Sequence, residues 1–233
     1  MSSGKEIPRR GFDAALSELF DETLALAGQV EKALHLSVQS LKERDIDLAK
    51  EIVEGDDVID DAALEVDQSA ERIIAKFSPV SSDLRRIIST MRISRDLERI
   101  ADLAVNIAKI TQEMAGEPLL KPLIDIPRMA SIAQGMVRDC LTALIEENLD
   151  QASDVYYRDE EIDALYMQIF RELLSYMIED PRSVHRAIPL LFVARHLERV
   201  GDHATNIAET VAYLLTGERE MPQKEGGFEG QYR

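Results

Sequence analysis

The dominant pattern along the chain is the recurrence of apolar residues at spacings of three and four, which is typical of α-helices with one buried face. Segments that alternate apolar and polar residues, as half-buried strands do, are missing from the sequence. We therefore predict an all-α fold. The predicted helices cover about 12–44, 46–77, 82–115, 128–146, 149–178 and 180–216.

The chain divides into two halves of similar length. Residues 116–127 hold three prolines and one glycine, a composition not found elsewhere in the interior, so we predict the boundary between the halves there. Pro189 lies inside the last predicted helix and should kink it. The final segment has four glycines and little apolar content, which favours disorder. The predicted organisation is an N-terminal tail (1–11), a first three-helix bundle (12–117), a second three-helix bundle (118–216) and a disordered C-terminal tail (217–233).

Two similar segments lie one hundred residues apart, one in each half. The first is RDLERIADLAVNIAK, beginning at Arg95, and the second is RHLERVGDHATNIAE, beginning at Arg195. Residues four apart on a helix lie on one face, so Glu98, Asp102 and Asn106 form one line of oxygen-bearing side chains. The same spacing gives the second half an equivalent line, formed by Glu198, Asp202 and Asn206.

Each half has a further acidic pair at the same spacing on the preceding helix: Asp56 with Asp60, and Asp159 with Asp163. Helices joined by a short connection run antiparallel, so the acidic pairs of each half can meet near the surface of its bundle. Carboxylates held together repel one another unless they are protonated or bound to a cation. Oxygen ligands suit magnesium, manganese, calcium or iron, and the sequence leaves that choice open. The repetition of the pairs predicts one metal site in each half.

The alternative interpretation of the acidic pairs is a solvated surface on which nearby arginines, Arg95 and Arg99, form ion pairs with them. A single pair would favour this interpretation, whereas repetition on two helices of each half weighs against it. His203 has no histidine counterpart in the first half, so any role of His203 would be confined to the second site. Cys140 lies on an apolar face and is predicted to be a core residue, and Gly201 is predicted to permit close helix packing.

Composition limits the range of functions. The chain has 233 residues, of which 45% are apolar, and a net charge of -17. Such an acidic protein is a poor partner for nucleic acid or for an anionic membrane. No apolar run approaches the roughly 18–20 residues that cross a bilayer, and the first residues lack a signal peptide, so we expect a cytoplasmic protein without membrane insertion. A single cysteine excludes an internal disulfide framework and a multi-thiolate metal site.

The chain has none of the sequence motifs that would suggest catalysis. A Gly-rich phosphate loop, a nucleophile elbow and a plausible catalytic triad are all missing, so we predict that the protein is not an enzyme. A carboxylate-bridged metallo-oxidase would also use a helical bundle. That class needs Glu-x-x-His pairs on two helices, and none occurs at the acidic positions. A structural metal-binding helical adaptor stays open as the main alternative.

The segments DLRRIISTMRISRDLERIADLAVNIAK and ARHLERVGDHATNIAE resemble the paired signatures of the PhoU family, whose members are accessory regulators of high-affinity phosphate transport in bacteria. The resemblance covers residues 12–216. It implies two pseudo-symmetric antiparallel three-helix bundles in tandem, metal bound through the acidic pairs, and a homodimer. The ligands that it implies are Asp56, Asp60, Glu98, Asp102 and Asn106 in the first half, and Asp159, Asp163, Glu198, Asp202 and Asn206 in the second.

The resemblance also implies partners and a role. The partners would be the ATPase subunit of the phosphate ABC transporter and the sensor histidine kinase of the phosphate two-component system. The protein would link the two, and would negatively regulate phosphate uptake and the phosphate-starvation response while phosphate is plentiful. Two positions depart from the family pattern. Ala101 stands where a glycine is common in the first signature, and Pro189 interrupts the last helix.

Overall fold

The computed structural model describes residues 6–218 and residue 221, and nearly all of these residues are helical. The predicted all-α class is confirmed, because this part of the chain contains no strand. None of its helices is both long enough and apolar enough to cross a membrane. The helices are α1 (Glu6–Glu43), α2 (Ile46–Glu54), α3 (Asp56–Phe77), α4 (Ser82–Met114), α5 (Asp125–Ile145), α6 (Leu149–Glu179) and α7 (Val184–Thr216), with a short 3₁₀ helix (Pro181–Ser183) before α7.

Side-chain caps explain where several of these helices begin. The Asp45 side chain accepts a hydrogen bond from the Leu48 N–H at 2.9 Å, and Asn148 accepts one from the Gln151 N–H at 3.1 Å. Asp180 caps the 3₁₀ helix in the same way. Each cap satisfies one of the backbone donors that a helix leaves free at its first turn. The predicted starts of the second and fifth helices are therefore confirmed.

The predicted second helix is interrupted at Gly55, which separates α2 from α3. A Cβ atom at this position would lie 3.2 Å from the Glu51 carbonyl oxygen, which is tighter than most side-chain contacts, so the break falls where a side chain is missing. The Gly55 N–H still donates to that oxygen at 3.0 Å and closes α2. The break makes Asp56 the first residue of α3, where the positive end of the helix dipole favours a carboxylate.

The N-terminal boundary also differs from the prediction. α1 begins at Glu6 and not at residue 12, so residues 6–11 of the predicted tail are helical. The Phe12 ring packs edge-on against Phe77 with their centroids 5.6 Å apart, and this tertiary contact supports the first turns of α1. Residues 1–5, and all but three residues of the predicted disordered tail, lie outside the described part of the chain. α7 passes through Pro189 without a break in the helix, and the kink stays a prediction.

The helices form two three-helix units that share a core. α1, α3 and α4 pack together, with α2 against α1 and α4, and α5, α6 and α7 form the second unit. α4 and α7 then contact each other extensively, and α1 also contacts α5. Buried apolar residues of both units form one continuous cluster. The fold is thus two pseudo-symmetric antiparallel three-helix bundles in tandem, as predicted.

The two signature helices, α4 and α7, run antiparallel where the bundles meet. His203 Nδ1 lies 2.9 Å from Asp96 Oδ1, and the Arg92 guanidinium lies 5.8 Å from the centroid of the Tyr213 ring. Residue numbers therefore rise along α4 as they fall along α7. This contact forms the centre of the molecule, while α3 and α6 pack on α4 and α7 respectively.

Candidate metal centres

The first acidic cluster lies between α3 and α4. Asp56 and Asp60 lie one turn apart at the start of α3, within electrostatic reach of Asp102 on α4. Burial raises the pKa of Asp56, and Asp60 and Asp102 raise it further, whereas the Lys109 ammonium lowers it. One oxygen of Asp56, Oδ1, is buried and has no hydrogen-bond partner. The structure therefore brings together three of the carboxylates that were predicted as ligands in this half.

The second cluster, between α6 and α7, is more complete. The pKa of Asp159 is raised to about 6, mainly by burial and next by the charges of Asp163 and Asp202, while the nearby Thr205 hydroxyl opposes the rise. The pKa values of Asp163 and Glu198 are also raised, mainly by burial and next by Asp202. Glu198 is only 8% exposed, and its Oε2, like Asp159 Oδ1, is buried without a hydrogen-bond partner. All four predicted carboxylates of this half lie in one cluster.

Gly201 allows α6 to approach α7 at the second cluster. A Cβ atom there would lie 2.9 Å from Ile162 Cδ1 and 3.3 Å from Asp159 Oδ1. The predicted role of Gly201 in close helix packing is therefore confirmed. The first half has a fully buried Ala101 at the matching position, so α4 carries one methyl group more than α7 at this point.

Each cluster also contains an arginine that forms an ion pair with it. In the first cluster, Arg99 Nη1 lies 2.8 Å from Asp102 Oδ2 and 3.7 Å from Glu98 Oε1. In the second cluster, Arg195 Nη1 contacts Glu198 Oε1. The hydrogen bond to Asp102, together with the charges of both carboxylates, raises the pKa of Arg99. Ion pairs between arginines and acidic residues, the alternative to metal binding considered from the sequence, are therefore present in part of each cluster.

The donor set fits a hard cation, although the described arrangement does not coordinate one. Carboxylates with raised pKa values and buried oxygens without partners are groups that a cation would stabilise. Within the described residues, however, no group of three or more His, Cys, Asp or Glu side chains is arranged to hold a metal ion. Coordination at either cluster would therefore require side chains to rotate.

One of the two asparagines predicted as ligands has a hydrogen-bond partner outside the acidic clusters. Asn206 Nδ2 donates to Asp96 Oδ1 at 3.4 Å, so this side chain takes part in the contact between α4 and α7. His203 binds the same Asp96 oxygen. Asn106 is half-buried on α4, one turn after Asp102. The sequence spacing placed both asparagines on the acidic line but could not show that one of them has a competing partner on another helix.

Sequence reasoning missed two features of the second half. Thr205 lies three residues after Asp202, a spacing that places both on one helix face, and this spacing was the available signal for its hydroxyl near the cluster. The hydrogen bond between His203 and Asp96 joins residues 107 apart in sequence, and no local sequence pattern predicts it.

The chain matches the family model described as PhoU domain over residues 23–111 and again over residues 126–211. A phosphate-specific transport system accessory protein PhoU homolog from Clostridium acetobutylicum is 39% identical over 212 residues, which cover 91% of this chain and 97% of that protein. A protein of the same description from Rhizobium meliloti is 40% identical over 215 residues, which cover 92% of this chain and 90% of that protein.

Two solved structures match the fold closely. The crystal structure of PhoU from Pseudomonas aeruginosa gives a TM-score of 0.86 at 37% sequence identity, covering 89% of this chain and 100% of that one. The phosphate transport system regulatory protein PhoU from Streptococcus pneumoniae gives a TM-score of 0.83 at 29% identity, covering 90% and 99% of the two chains. The resemblance first seen in the two signature segments is confirmed.

Proposed function

The chain belongs to the PhoU family, and on that premise we propose that it is an accessory protein of phosphate-specific transport that negatively regulates phosphate uptake and the phosphate-starvation response. One observation carries the proposal: both halves match the PhoU domain, in a chain whose relatives at 39% and 40% identity bear that description along most of their length.

The proposed partners are the ATPase subunit of the phosphate ABC transporter and the sensor histidine kinase of the phosphate two-component system, with this protein as the cytoplasmic link between them. A net charge of -17 favours basic faces on such partners. Added salt should therefore weaken binding mainly by slowing association. We propose a homodimer as the acting form. The role is one of binding, and we assign no catalytic residue to it.

We also propose that each half binds a divalent or transition metal ion through its acidic cluster. The bound ion would supply the positive charge that removes the repulsion among the carboxylates. Magnesium, manganese, calcium and iron all accept such oxygen donors. Asn206 would have to leave Asp96 to take part. The proposed ligands are Asp56, Asp60, Glu98, Asp102 and Asn106 for the first site, and Asp159, Asp163, Glu198, Asp202 and Asn206 for the second.

The regulatory role is tested by deleting the gene and measuring alkaline phosphatase in medium rich in phosphate. We expect the enzyme to be produced despite the phosphate, and an intact copy of the gene to restore repression. Affinity purification from the complemented strain should recover the transporter ATPase subunit and the histidine kinase. Continued repression in the deletion strain, with neither partner recovered, would favour the alternative of a helical adaptor unrelated to phosphate signalling.

Metal binding is tested by elemental analysis of the protein purified without chelator. We expect the double variant Glu98→Ala/Asp102→Ala to lose roughly half of the bound metal, because the ligands of the second site are intact. The matched control is Asp61→Ala/Glu65→Ala, which removes an exposed acidic pair of the same spacing on α3 and should keep all of the metal. Equal metal content in the two double variants would remove Glu98 and Asp102 as ligands.

A further inference from the structure

We infer that Arg99 and Arg195 are internal counter-ions that occupy the two acidic clusters in the metal-free protein, so that a metal ion binds by displacing a guanidinium. The inference rests on the metal sites proposed above and describes how this chain controls their affinity. It assigns a role to two arginines that are not themselves metal ligands.

The position of each guanidinium is the first support. Arg99 Nη1 lies 2.8 Å from Asp102 Oδ2 and 3.7 Å from Glu98 Oε1, so it holds two of the carboxylates proposed for the first site. Arg195 Nη1 contacts Glu198 Oε1, while the second oxygen of this buried carboxylate has no partner. A metal ion that bound Asp102 Oδ2 or Glu198 Oε1 would compete with the guanidinium for the same oxygen. A metal ion on the unpartnered oxygen of Glu198 would place a second cation beside the guanidinium on one carboxylate and so favour its departure.

Both arginines are free to leave. The side chain of Arg99 is 44% exposed and that of Arg195 is 47% exposed, so each can rotate into solvent without opening the core. In the second cluster the carboxylate cannot move so easily, since the side chain of Glu198 is only 11% exposed, and an arriving cation would therefore move the arginine. In the first cluster, Asp102 and Glu98 are 38% and 30% exposed, so the carboxylates can adjust together with Arg99.

The two halves use different arginines, and the helices that face them explain the choice. In the first half, the counterpart of Arg195 is Arg95, whose charge lies near Asp67 on α3. Burial raises the pKa of Asp67, and Arg95 lowers it. Arg95 therefore has a carboxylate of its own outside the cluster. Arg99, one turn later on α4, is the arginine left to pair with Asp102 and Glu98.

In the second half, Phe170 stands where the first half has Asp67, if α3 and α6 are aligned on their acidic pairs. Arg195 therefore has no carboxylate at that position. Its guanidinium lies instead 5.9 Å from the centroid of the Tyr166 ring, a cation–π distance, and turns to Glu198. In the first half, Ala63 stands at the position equivalent to Tyr166. The aromatic ring that contacts Arg195 is therefore specific to the second site.

Removing each guanidinium should strengthen metal binding at its own site. We expect Arg99→Gln to raise the affinity of the first site about 3-fold, the size expected for an exposed ion pair. Arg195→Gln should raise that of the second site about 10-fold, because Glu198 is buried and its ion pair is less screened. Arg99→Lys and Arg195→Lys keep the charge and should stay closer to the wild-type affinity.

Loss of any nearby positive charge could also favour a cation, so matched controls are needed. Arg199→Gln removes an exposed arginine of α7 next to Glu198, and Arg95→Gln removes an exposed arginine of α4 three residues before Glu98. Neither side chain forms one of the two ion pairs described above. If competition for the same oxygens is the cause, these variants should change the affinity of their sites less than twofold, a generic effect of screened surface charge.

The experiment titrates Mn²⁺ alone into the full-length chelator-treated protein and follows free Mn²⁺ by electron paramagnetic resonance. The first site is measured in an Asp159→Ala/Asp202→Ala background and the second in a Glu98→Ala/Asp102→Ala background. Circular dichroism establishes that each variant is folded.

A second measurement needs no metal. Arg195→Gln should lower the Tm of the metal-free protein by about 3 °C relative to Arg199→Gln, because Glu198 is left buried without a counter-ion.

The outcomes separate the inference from the proposed function. Site-specific gains for Arg99→Gln and Arg195→Gln, with smaller changes in the controls, support the inference. Binding of Mn²⁺ that is unchanged in these variants, or strengthened equally in the controls, overturns the inference and leaves the metal sites standing. Absence of Mn²⁺ binding by the wild type and by every variant overturns both.

Discussion

Burial acts directly on the carboxylates of the second cluster. Burial, together with the charges of Asp163 and Asp202, raises the pKa of Asp159 to about 6, while an unfolded chain restores the ordinary value of 3.8. The folded protein therefore binds this proton more tightly than the unfolded protein does. Linkage then requires that the contribution of Asp159 to the free energy of unfolding of the metal-free protein falls as the pH rises from about 4 to about 6. The ionised cluster therefore lowers stability, and the proposed metal ion would offset that loss.

The Asp159→Asn variant should remove that pH dependence. We expect it to match the wild type near pH 4 and to be more stable at pH 7 by on the order of 2 kcal/mol in the presence of chelator, since an amide cannot lose a proton. Urea unfolding between pH 4 and pH 8 measures the difference. Asp61→Asn, at an exposed position of α3, is the control and should follow the wild type. If the free energy of unfolding of Asp159→Asn changed with pH as that of the wild type does, Asp159 would not be the group responsible for this pH dependence.

Cys140 provides a second test of burial at the residue scale. The residue is fully buried, its Sγ lies 3.0 Å from the Val137 carbonyl oxygen, and burial raises the pKa of its thiol. Because the thiolate is the reactive form, native protein should not react with a thiol-specific disulfide reagent at pH 8. One thiol per chain should react after denaturation in guanidinium chloride. Reaction of the native protein at the denatured rate would show that this core position opens readily.

The sequence predicted the clustering of the acidic residues better than it predicted the surroundings of each cluster. Spacing of four on two helices was enough to bring Asp159, Asp163 and Asp202 together, because helix geometry and a short connection leave few alternatives. Which arginine enters a cluster depends on a side chain of another helix, such as Tyr166. Contacts of this kind join residues far apart in sequence, so a pattern within one helix cannot reveal them.

Among the helices, one glycine lies where a helix breaks and another where two helices pack closely. The apolar pattern continues across Gly55, so the sequence predicted one long helix where the structure has α2 and α3. At Gly201 the consequence is the reverse, because the helix continues and its missing side chain admits Ile162 and Asp159 of α6. The same residue type therefore marks a break in one helix and a close contact in another, and only tertiary structure distinguishes them.

Two glycine-to-alanine changes should move stability in opposite directions. Gly28→Ala, at an exposed position in the middle of α1 with open space around it, should stabilise the protein by about 0.5–1 kcal/mol through helix propensity. Gly201→Ala gains the same propensity but forces its methyl group against Ile162, so we expect a net loss of about 1 kcal/mol.

Urea unfolding of both variants provides the measurement. Adding Ile162→Val to Gly201→Ala should recover part of the loss, because it removes the Cδ1 atom that lies 2.9 Å from the new methyl group. If Gly201→Ala proved as stabilising as Gly28→Ala, α6 and α7 would have room to separate at the second cluster, and the close approach would not be required there.

At the scale of the whole molecule, two matched domains share one core. Leu97 and Leu197 occupy equivalent positions of α4 and α7, and both are fully buried in the same continuous apolar cluster. α4 therefore packs against its own bundle and also against α7 of the other bundle. Sequence periodicity identified the two repeats and a proline-containing boundary between them. The periodicity could not show that each signature helix packs partly against the other bundle. An apolar face of α4 has the same sequence pattern whether it is buried in its own bundle or against α7.

The shared core predicts that the intact chain unfolds as one unit. Separating the bundles would expose the faces of α4 and α7 to water, so neither half should keep its stability alone. Differential scanning calorimetry of the full-length protein should give one transition whose calorimetric and van't Hoff enthalpies agree. Fragments of residues 6–116 and 117–221, expressed separately, should lack a cooperative transition, and mixing them should restore one. Two resolved transitions in the intact chain, or a single fragment that melts cooperatively at the Tm of the whole protein, would show that the two bundles fold independently.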